Sequence, residues 1–313
     1  MRAPADGPEP HARPAGARRW RVLAQTKRVG LYLAVGAIVI WTLAPVTWLF
    51  LSAISPYSFL VSDRVGHWIP PEPTLRNFTD MWSPATDTGT RFRMALANST
   101  VVSLSVTAIC LVVGTFAAYA LARLEVPHRK GVVLGLVVVR MLPTIALVIP
   151  FFVVVSQIDA FLVGHGSNVH LFDTRANLIL LYISFILGFV IWVLQGYFRT
   201  VPAELEEAAT IDGCSRLGAL RHVVLPLSAP ALMATALLAF LLAWDEFVLA
   251  LVFTRSPQSA TLPLFVAELG SQYITAHNQI AAAGFVAALP PVVLALAFQR
   301  FLVAGLTAGA VKS

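Results

Sequence analysis

The chain has few charged residues and almost no cysteine, and both shortages narrow the class of protein it can be. Asp, Glu, Lys and Arg make up 12% of its 313 residues, whereas about 25% is usual in a soluble globular domain. Hydrophobic residues reach 58%, and the mean hydropathy is +0.77. The composition therefore excludes an ordinary soluble domain. Cys110 lies in an apolar run and Cys214 in a charged segment, so we expect neither a disulfide between them nor a cysteine metal site.

Motifs for nucleotide binding and covalent catalysis are also missing. No Gly-Lys pair occurs in the sequence, and a P-loop needs one because its backbone amides and lysine together hold the phosphates. No serine or cysteine has the local context of a catalytic nucleophile. His165 and His170 have no nearby ligand pair beyond Asp173, and we expect no metal there. An integral membrane enzyme is disfavoured, and any ATP-driven activity requires an ATPase on another chain.

Six apolar runs are each long enough to cross a bilayer as a helix, which takes about 20 residues. They predict an all-α polytopic membrane protein with spans at residues 29–51, 96–121, 132–155, 176–196, 231–253 and 280–302. Residues 1–28 are rich in Pro, Ala, Gly and Arg without periodicity, which predicts a disordered basic tail. The membrane domain is then 29–313, with a first span at 29–51 and a core of five spans at 96–302. The first apolar run is too long for a cleaved signal peptide.

The distribution of basic residues predicts the orientation of these spans. With the N-terminus inside, most of the 22 basic residues, including all three lysines, fall in cytoplasmic segments, as the positive-inside rule requires. Both termini are then cytoplasmic. The net charge of +6 follows from this topology, and we expect no nucleic-acid partner because no basic stripe alternates with exposed aromatics.

A charged segment between the fourth and fifth spans predicts a cytoplasmic helix–turn–helix. Pro202 suits a first helical turn, and the helix macrodipole favours the acidic residues that follow it, which are Glu204, Glu206 and Glu207. Ala208 and Ala209 offer a small face that a partner can approach closely. Asp212-Gly213 ends the helix, because glycine takes left-handed backbone angles without steric cost. A second short helix is predicted from Cys214 to about Val223, ahead of Leu225-Pro226.

The spacing of Glu207-Ala208-Ala209, Gly213 and Leu225-Pro226 resembles the EAA loop of ABC importer permeases. Over residues 29–313 the chain resembles the maltose-type permease family of carbohydrate ABC importers, in particular its shorter six-span subunit. Other segments that carry the resemblance are Pro73-Thr74-Leu75-Arg76-Asn77-Phe78, Asn98-Ser99, Ala117-Ala118-Tyr119-Ala120-Leu121-Ala122-Arg123, Ala243-Trp244-Asp245-Glu246-Phe247 and residues 305–312. Two features depart from the family pattern. His128-Arg129 replaces a common Gly-Arg pair, and the outer loop 157–175 is longer than usual.

The resemblance implies a type I ABC importer transmembrane domain in the bacterial inner membrane. This chain would form half of a pore for a carbohydrate, either a mono- or oligosaccharide or a polyol. Its implied partners are a second permease subunit, a cytoplasmic ATPase dimer, an extracytoplasmic sugar-binding protein or lipoprotein, and membrane lipid. ATP and Mg would bind the ATPase, with no cofactor on this chain. The residues expected to couple to the ATPase are Glu206, Glu207, Ala208, Ala209, Asp212, Gly213, Leu225 and Pro226.

Ionisable residues inside the predicted spans form a second candidate site. A charge at the centre of a span costs about 2.5–3.5 kcal/mol on insertion scales, yet Arg140 lies in the third span and Asp245 and Glu246 in the fifth, beside Trp244. These residues either line the substrate path or hold the spans in register, and we favour a buried ion pair between Arg140 and Asp245.

Prolines within the third and sixth predicted spans indicate kinked helices, which serve either packing or motion. They are Pro143, Pro150, Pro290 and Pro291.

A secondary transporter of a small polar solute is the alternative function. Such a transporter needs a coupling carboxylate or ion site near the membrane midplane, a role that Asp245 or Glu246 could fill. It leaves the charged helix–turn–helix without a purpose, so we favour the ATP-driven importer.

Overall fold

The computed structural model describes residues 16–61, 69–271 and 277–310. Within these ranges the chain is helical and contains no β-strand, which confirms the predicted all-α fold class. In chain order the helices are α1 (Gly16–Ala53), α2 (Tyr57–Leu60), α3 (Arg76–Trp82), α4 (Asp87–Arg123), α5 (Arg129–Met141), α6 (Thr144–Gly164), α7 (Arg175–Phe198), α8 (Ala203–Ile211), α9 (Arg216–Ala219), α10 (Leu225–Leu227), α11 (Ala229–Trp244), α12 (Val248–Phe253), α13 (Leu262–Ser271) and α14 (His277–Ala310). A π-helical turn, Leu220–Val224, joins α9 to α10.

Five of the described helices are long and apolar enough to cross a membrane: α1 from Gln25, α4, α6, α7 and α14 as far as Phe301. A sixth span is obtained when Arg216–Leu227 and Ala229–Trp244, which meet at an angle of 79°, are taken as one bent unit. The bend has a local cause, because Pro230 has no N–H to donate and its ring disfavours a continuous helix. The number of spans agrees with the prediction, but the bounds of the third and fifth differ.

The third predicted span, 132–155, is two helices in the structure. α5 ends at Met141 and α6 begins at Thr144, with Leu142 and Pro143 in extended conformation between them. A proline disfavours helical angles in the residue before it, so Pro143 interrupts the helix where a kink was predicted. Pro150, in contrast, lies inside α6, as Pro290 and Pro291 lie inside α14.

The fifth predicted span, 231–253, is interrupted as well. α11 stops at Trp244 and α12 starts at Val248. The break falls on Asp245, Glu246 and Phe247, which lie between the two helices.

The N-terminal boundary also needs correction. Residues 1–28 were predicted as a disordered tail, but α1 begins at Gly16, so 16–28 are helical. Residues 1–15 of the predicted tail lie outside the described residues, as do residues 311–313 at the other end. Almost all described side chains of α1 are exposed in the isolated chain, and its main neighbour is α14.

The hydrophobic core centres on the parallel pair α4 and α7. Val102, Val106 and Cys110 of α4 are fully buried in the same cluster as Leu178 and Leu194 of α7. A Cβ added at Gly114 would lie only 2.6 Å from a Val190 methyl group. The missing side chain therefore allows the two helices to approach closely, as small residues do in membrane helix pairs. This packing fixes the end of α4 beside the segment that follows α7.

A buried asparagine joins α1, α3 and α14. The Asn77 side-chain amide donates to the carbonyls of Ala53 at 2.7 Å and Ser55 at 3.1 Å. Its oxygen accepts from the Asn278 amide at 2.7 Å. The asparagine of the Pro-Thr-Leu-x-Asn segment therefore closes the end of the first span.

The outer loop is shorter than the predicted 157–175, because α6 continues to Gly164. Asp159, on the last turns of α6, accepts a hydrogen bond from the Leu171 amide. The His170 ring nitrogen lies 3.4 Å from the same carboxylate, and the His165 ring contacts the Phe161 carbonyl at 2.8 Å. Each histidine thus has a polar neighbour on the last turns of α6.

Asp173 fastens this loop to the segment after α12. Its backbone is left-handed, with φ of 61°, a conformation that Asp tolerates better than most residues. Its carboxylate accepts from the amides of Arg255 at 2.8 Å and Ser256 at 3.0 Å, and from the Ser259 hydroxyl. Burial opposes ionisation, but these hydrogen bonds outweigh it and lower the pKa of Asp173 below its ordinary value.

Candidate functional site

The charged segment after α7 forms the predicted helix–turn–helix. α8 starts directly after Pro202 and carries Glu204 and Glu206 in its first turn, where the macrodipole favours negative charge. The helix ends at Ile211, and Gly213 adopts φ of 90°. The Cys214 amide then donates back to the Ala209 carbonyl at 2.9 Å, which closes the turn. The predicted stop at Asp212-Gly213 is thus confirmed.

The second helix differs from the prediction in form. Ser215 caps α9 by accepting from the Gly218 amide at 3.2 Å, and α9 continues into the π-helical turn and α10. Leu220 and Val224 of that turn are buried against the α4–α7 core. Pro226 lies within α10, so the helical course reaches Leu227 and bends at Ser228.

An ion pair fixes α8 to the end of α4. The Arg123 guanidinium donates to Glu206 through Nε and to the Val201 carbonyl through Nη2, the latter at 2.6 Å. The Tyr119 hydroxyl, one helical turn earlier on α4, lies 3.0 Å from the other Glu206 oxygen and 3.3 Å from the Arg216 carbonyl. The side chains of Arg123 and Glu206 are only 16% and 13% exposed. We call this group, Tyr119, Arg123 and Glu206, the α4–α8 clamp.

The roles of Tyr119 and Arg123 were not predicted from the sequence, in which both residues belong to a segment that carries the family resemblance. A signal was nevertheless present, since they lie four residues apart at the predicted cytoplasmic end of an apolar span and therefore share one helix face. Glu206 was assigned to the surface that meets a partner. The structure instead turns it inward.

The opposite face of α8 is exposed. Glu207 and Ala208 lie on the surface, while Ala209 is half-buried. Leu205 is 44% exposed and Ile211 86% exposed. A cavity of about 540 Å³ lies between this helix, α9 and the end of α4. The face combines two carboxylates, Glu204 and Glu207, with a small residue and two aliphatic side chains, which is a surface suited to contact with another protein.

The second predicted site is not assembled as an ion pair. Arg140 is exposed at the end of α5, and its guanidinium carbon lies 5.2 Å from the centre of the Phe189 ring on α7. Within the described ranges no ion pair joins Arg140 to Asp245. The favoured hypothesis of a buried pair within one chain is therefore wrong.

Trp244 and Asp245 lie at the end of α11 but face different surroundings. Trp244 is 5% exposed, stacks on Phe240 with ring centres 5.4 Å apart, and donates to the Ala287 carbonyl of α14 at 3.1 Å. This arrangement holds α11 against α14. Asp245 is exposed and lines a cavity of about 650 Å³ between the same two helices.

Glu246 has a local structural role. Its carboxylate accepts from the Leu249 amide at 3.0 Å and 3.2 Å and from the Ala250 amide at 3.3 Å. These are first-turn amides of α12, which have no partner within the helix. Glu246 therefore caps the helix that follows the break, and of the charged residues proposed for the pathway only Arg140 and Asp245 remain exposed.

Several apolar spans with a charged, exposed helix–turn–helix between two of them are typical of a multi-pass membrane transport component. Comparison with known proteins agrees with that class. Residues 111–308 match the family described as "Binding-protein-dependent transport system inner membrane component", and the chain belongs to this family. It is thus a multi-pass inner-membrane transport component.

Several relatives align over most of the chain. The trehalose transport system permease protein SugB of Mycobacterium tuberculosis is 38% identical over 88% of this chain and 94% of that protein. The diacetylchitobiose uptake system permease protein DasC of Streptomyces coelicolor is 34% identical over 86% and 91%. The trehalose/maltose transport system permease protein MalG of Thermococcus litoralis is 33% identical over 91% and 97%.

A solved structure supports the fold. A chain of a bacterial ABC transporter involved in import of the acidic polysaccharide alginate matches with a TM-score of 0.70 and 19% identity, covering 88% of this chain and 96% of that chain. The likeness shows that this chain shares the fold of that transporter chain.

Proposed function

We propose that this chain is a permease subunit of an ATP-driven importer that carries a carbohydrate, with a disaccharide as the first candidate. The proposal is supported by relatives named for trehalose, maltose and diacetylchitobiose, all of which are disaccharides. A separate extracytoplasmic protein delivers the sugar, in keeping with the family description.

The exposed face of α8 is the proposed docking surface for a separate ATPase subunit, which binds ATP and Mg. The observation that carries this assignment is the division of α8 into a face held by Arg123 and an exposed face with Glu207 and Ala208. A helix that is fixed on one side can transmit a push received on the other. Glu207 pairs with a basic side chain of the ATPase, and Ala208 allows close approach.

The proposed orientation places α8, both termini and the start of α5 in the cytoplasm, because basic residues concentrate there. Reporter fusions at Lys130 and Gly213 should report the cytoplasm, and fusions at Thr90 and His170 the outer side. A cytoplasmic His170 would reverse the placement of α8.

A second permease subunit completes the pore. Arg140 and Asp245 are both exposed in the single chain, and each would cost about 2.5–3.5 kcal/mol if it met lipid at the centre of a span. We place them on the surface that meets the second subunit, where they line the shared path or its entrance. A secondary transporter could also use Asp245, but uptake that persists without ATP would be needed to support it.

Charge reversal on α8 tests the docking surface. Glu207→Lys should leave the complex assembled in the membrane while uptake falls at least tenfold, since a like charge in an interface costs several kcal/mol. Glu125→Lys, an equal charge change at an exposed position of the α4–α5 loop, is the matched control and should transport normally. Co-purification of a tagged chain identifies the ATPase directly. Wild-type uptake by Glu207→Lys, or a purified complex without an ATPase, would contradict the proposal.

A further inference from the structure

A groove between the start of α5 and the end of α7 has an unusual distribution of charge. It encloses about 740 Å³. Basic side chains form its rim, namely His128, Arg129, Lys130 and Arg199. Aliphatic side chains form its wall, namely Val133, Leu134 and Val137. Within the described part of the chain, Arg129, Lys130 and Arg199 take part in no ion pair.

The groove is graded with depth. Arg129, Val133 and Val137 follow one another at intervals of four, so they share a face of α5. Gln195 and Arg199 have the same relation on α7. The basic residue, Arg129 on α5 or Arg199 on α7, lies at the end of its span. The next residue on the same face, Val133 or Gln195, lies one turn, about 5.4 Å, deeper. The groove thus changes from cationic to apolar over the depth at which a lipid changes from headgroup to acyl chain.

The N-terminus of α5 is electrostatically unbalanced. His128 makes no capping bond through its side chain, and the first turn contains no acidic residue. Arg129 and Lys130 add two positive charges where the helix dipole is already positive, an unfavourable arrangement. A bound anion would relieve it, because helix N-termini with free amides are natural phosphate sites.

Gln195 supplies an independent indication of a ligand. The residue is only 4% exposed and lines the groove. Within the described ranges no hydrogen bond joins its side-chain amide to another residue, and the amide is not among the fully buried groups that lack a partner. The amide therefore reaches the groove, where a polar group of a ligand would give it a partner.

We propose that this groove binds one anionic phospholipid. Its phosphate lies between Arg129, Lys130 and Arg199, its glycerol or ester oxygens bond to Gln195, and an acyl chain lies along the aliphatic wall. Free phosphate would satisfy the cations but neither Gln195 nor the wall, which is why a lipid fits better. Basic pockets between membrane helices are a known form of headgroup site. In the proposed orientation the basic rim of the groove lies at the cytoplasmic leaflet. The binding of the lipid does not depend on that orientation.

Native mass spectrometry of the intact complex in detergent tests the proposal, with phosphatidylglycerol and phosphatidylcholine added in parallel. We expect one phosphatidylglycerol to remain bound to the wild type. Arg129→Gln/Lys130→Gln should weaken its binding roughly 30-fold, at about one kcal/mol for each basic residue. Lys27→Gln/Arg28→Gln is the matched control, since it removes an adjacent Lys-Arg pair from the end of another span, and should bind normally. Equal retention of phosphatidylcholine, or an equal loss in the control, would overturn the proposal.

Gln195→Leu gives a second readout that leaves every charge in place. It should weaken phosphatidylglycerol binding several-fold, and it decides the question if the double variant fails to fold. Millimolar inorganic phosphate should not displace the lipid, and displacement would assign the site to a free anion instead. Because the readout is lipid binding, failure here is distinct from failure of the importer assignment, which uptake and co-purification test.

Discussion

The α4–α8 clamp allows a quantitative prediction of how firmly α8, the proposed docking helix, is held. Arg123→Met keeps the length of the side chain but removes its bonds to Glu206 and to the Val201 carbonyl. Hydrogen bonds to charged groups contribute about 1.5–3 kcal/mol each, and both side chains are less than one-fifth exposed. Because some solvent reaches the pair and Tyr119 still serves Glu206, we expect a local loss of about 2 kcal/mol. The population of undocked α8 should then rise roughly 30-fold.

Hydrogen exchange read by mass spectrometry on the assembled complex is the appropriate assay. Amides of α8 should exchange about 30-fold faster in Arg123→Met, while those of α7 keep their rate. Glu206→Gln should produce a smaller increase, because the amide retains the bond to Tyr119. Arg221→Met is the matched control, since Arg221 is exposed on the same segment and forms no ion pair within the described ranges. It should leave exchange of α8 unchanged.

The double variant decides whether the two residues act together. If the ion pair holds α8, the loss in Arg123→Met/Glu206→Gln should be less than the sum of the single losses by about 1 kcal/mol or more. Sugar transported per ATP hydrolysed should fall in each single variant, because a loosely held helix transmits less of the ATPase motion. Strictly additive exchange effects, or normal coupling in Arg123→Met, would refute the reasoning.

Three further substitutions test the backbone and the outer loop. His128→Gly should raise the free energy of unfolding by about 1 kcal/mol, because His128 has φ of 55° and a left-handed residue other than glycine costs about 1–2 kcal/mol. The control is His222→Gly, which should lower the free energy of unfolding because His222 lies in a helical turn. Gly213→Ala should lower the amount of sugar transported per ATP hydrolysed. Its effect comes from backbone strain alone, since φ is 90° but nothing lies within 4 Å of an added Cβ. Gly196→Ala is the control and should stabilise α7 by about 0.5–1 kcal/mol. Asp173→Asn should reduce stability at neutral pH. Because the pKa of Asp173 is lowered on folding, its contribution is present above about pH 4 and is lost as the pH falls further, so melting curves of variant and wild type should converge in acid.

Local rules explain why the charged segment was predictable. Local backbone preferences of a few residues favour this structure: a proline ahead of acidic residues and two alanines favour a helix, and a glycine favours its end. α8 and the turn at Gly213 follow those preferences. The spans were predictable for the same kind of reason, because hydropathy adds up along one helix. The π-helical turn was not predicted, since it depends on burying Leu220 and Val224 against another helix.

The pairing of charges was mispredicted because it depends on the direction in which each helix faces. Depth along a span can be counted from the sequence, and Arg140 and Asp245 have compatible depths. Their helices nevertheless point them apart, toward Phe189 and toward α14 respectively. The role of Glu246 could have been predicted, because its carboxylate precedes the Leu249 amide by three positions, which is the spacing of a helix cap.

The path from the docking helix to the membrane core can be argued from the same contacts. A push on the exposed face of α8 passes to α4 through Arg123, and α4 is locked to α7 where Gly114 meets Val190. The same push reaches α11 through α9, the π-helical turn and α10, which continue as one helical course to Ser228. There Pro230 breaks the course and the direction changes by 79°. At the bend the Ser228 hydroxyl is buried without a hydrogen-bond partner in the described structure. Motion of α8 would therefore move α4 and α7 as one body while the angle at Ser228 changes. That change would shift the far end of α11, where Trp244 contacts α14 and Asp245 faces the cavity between them.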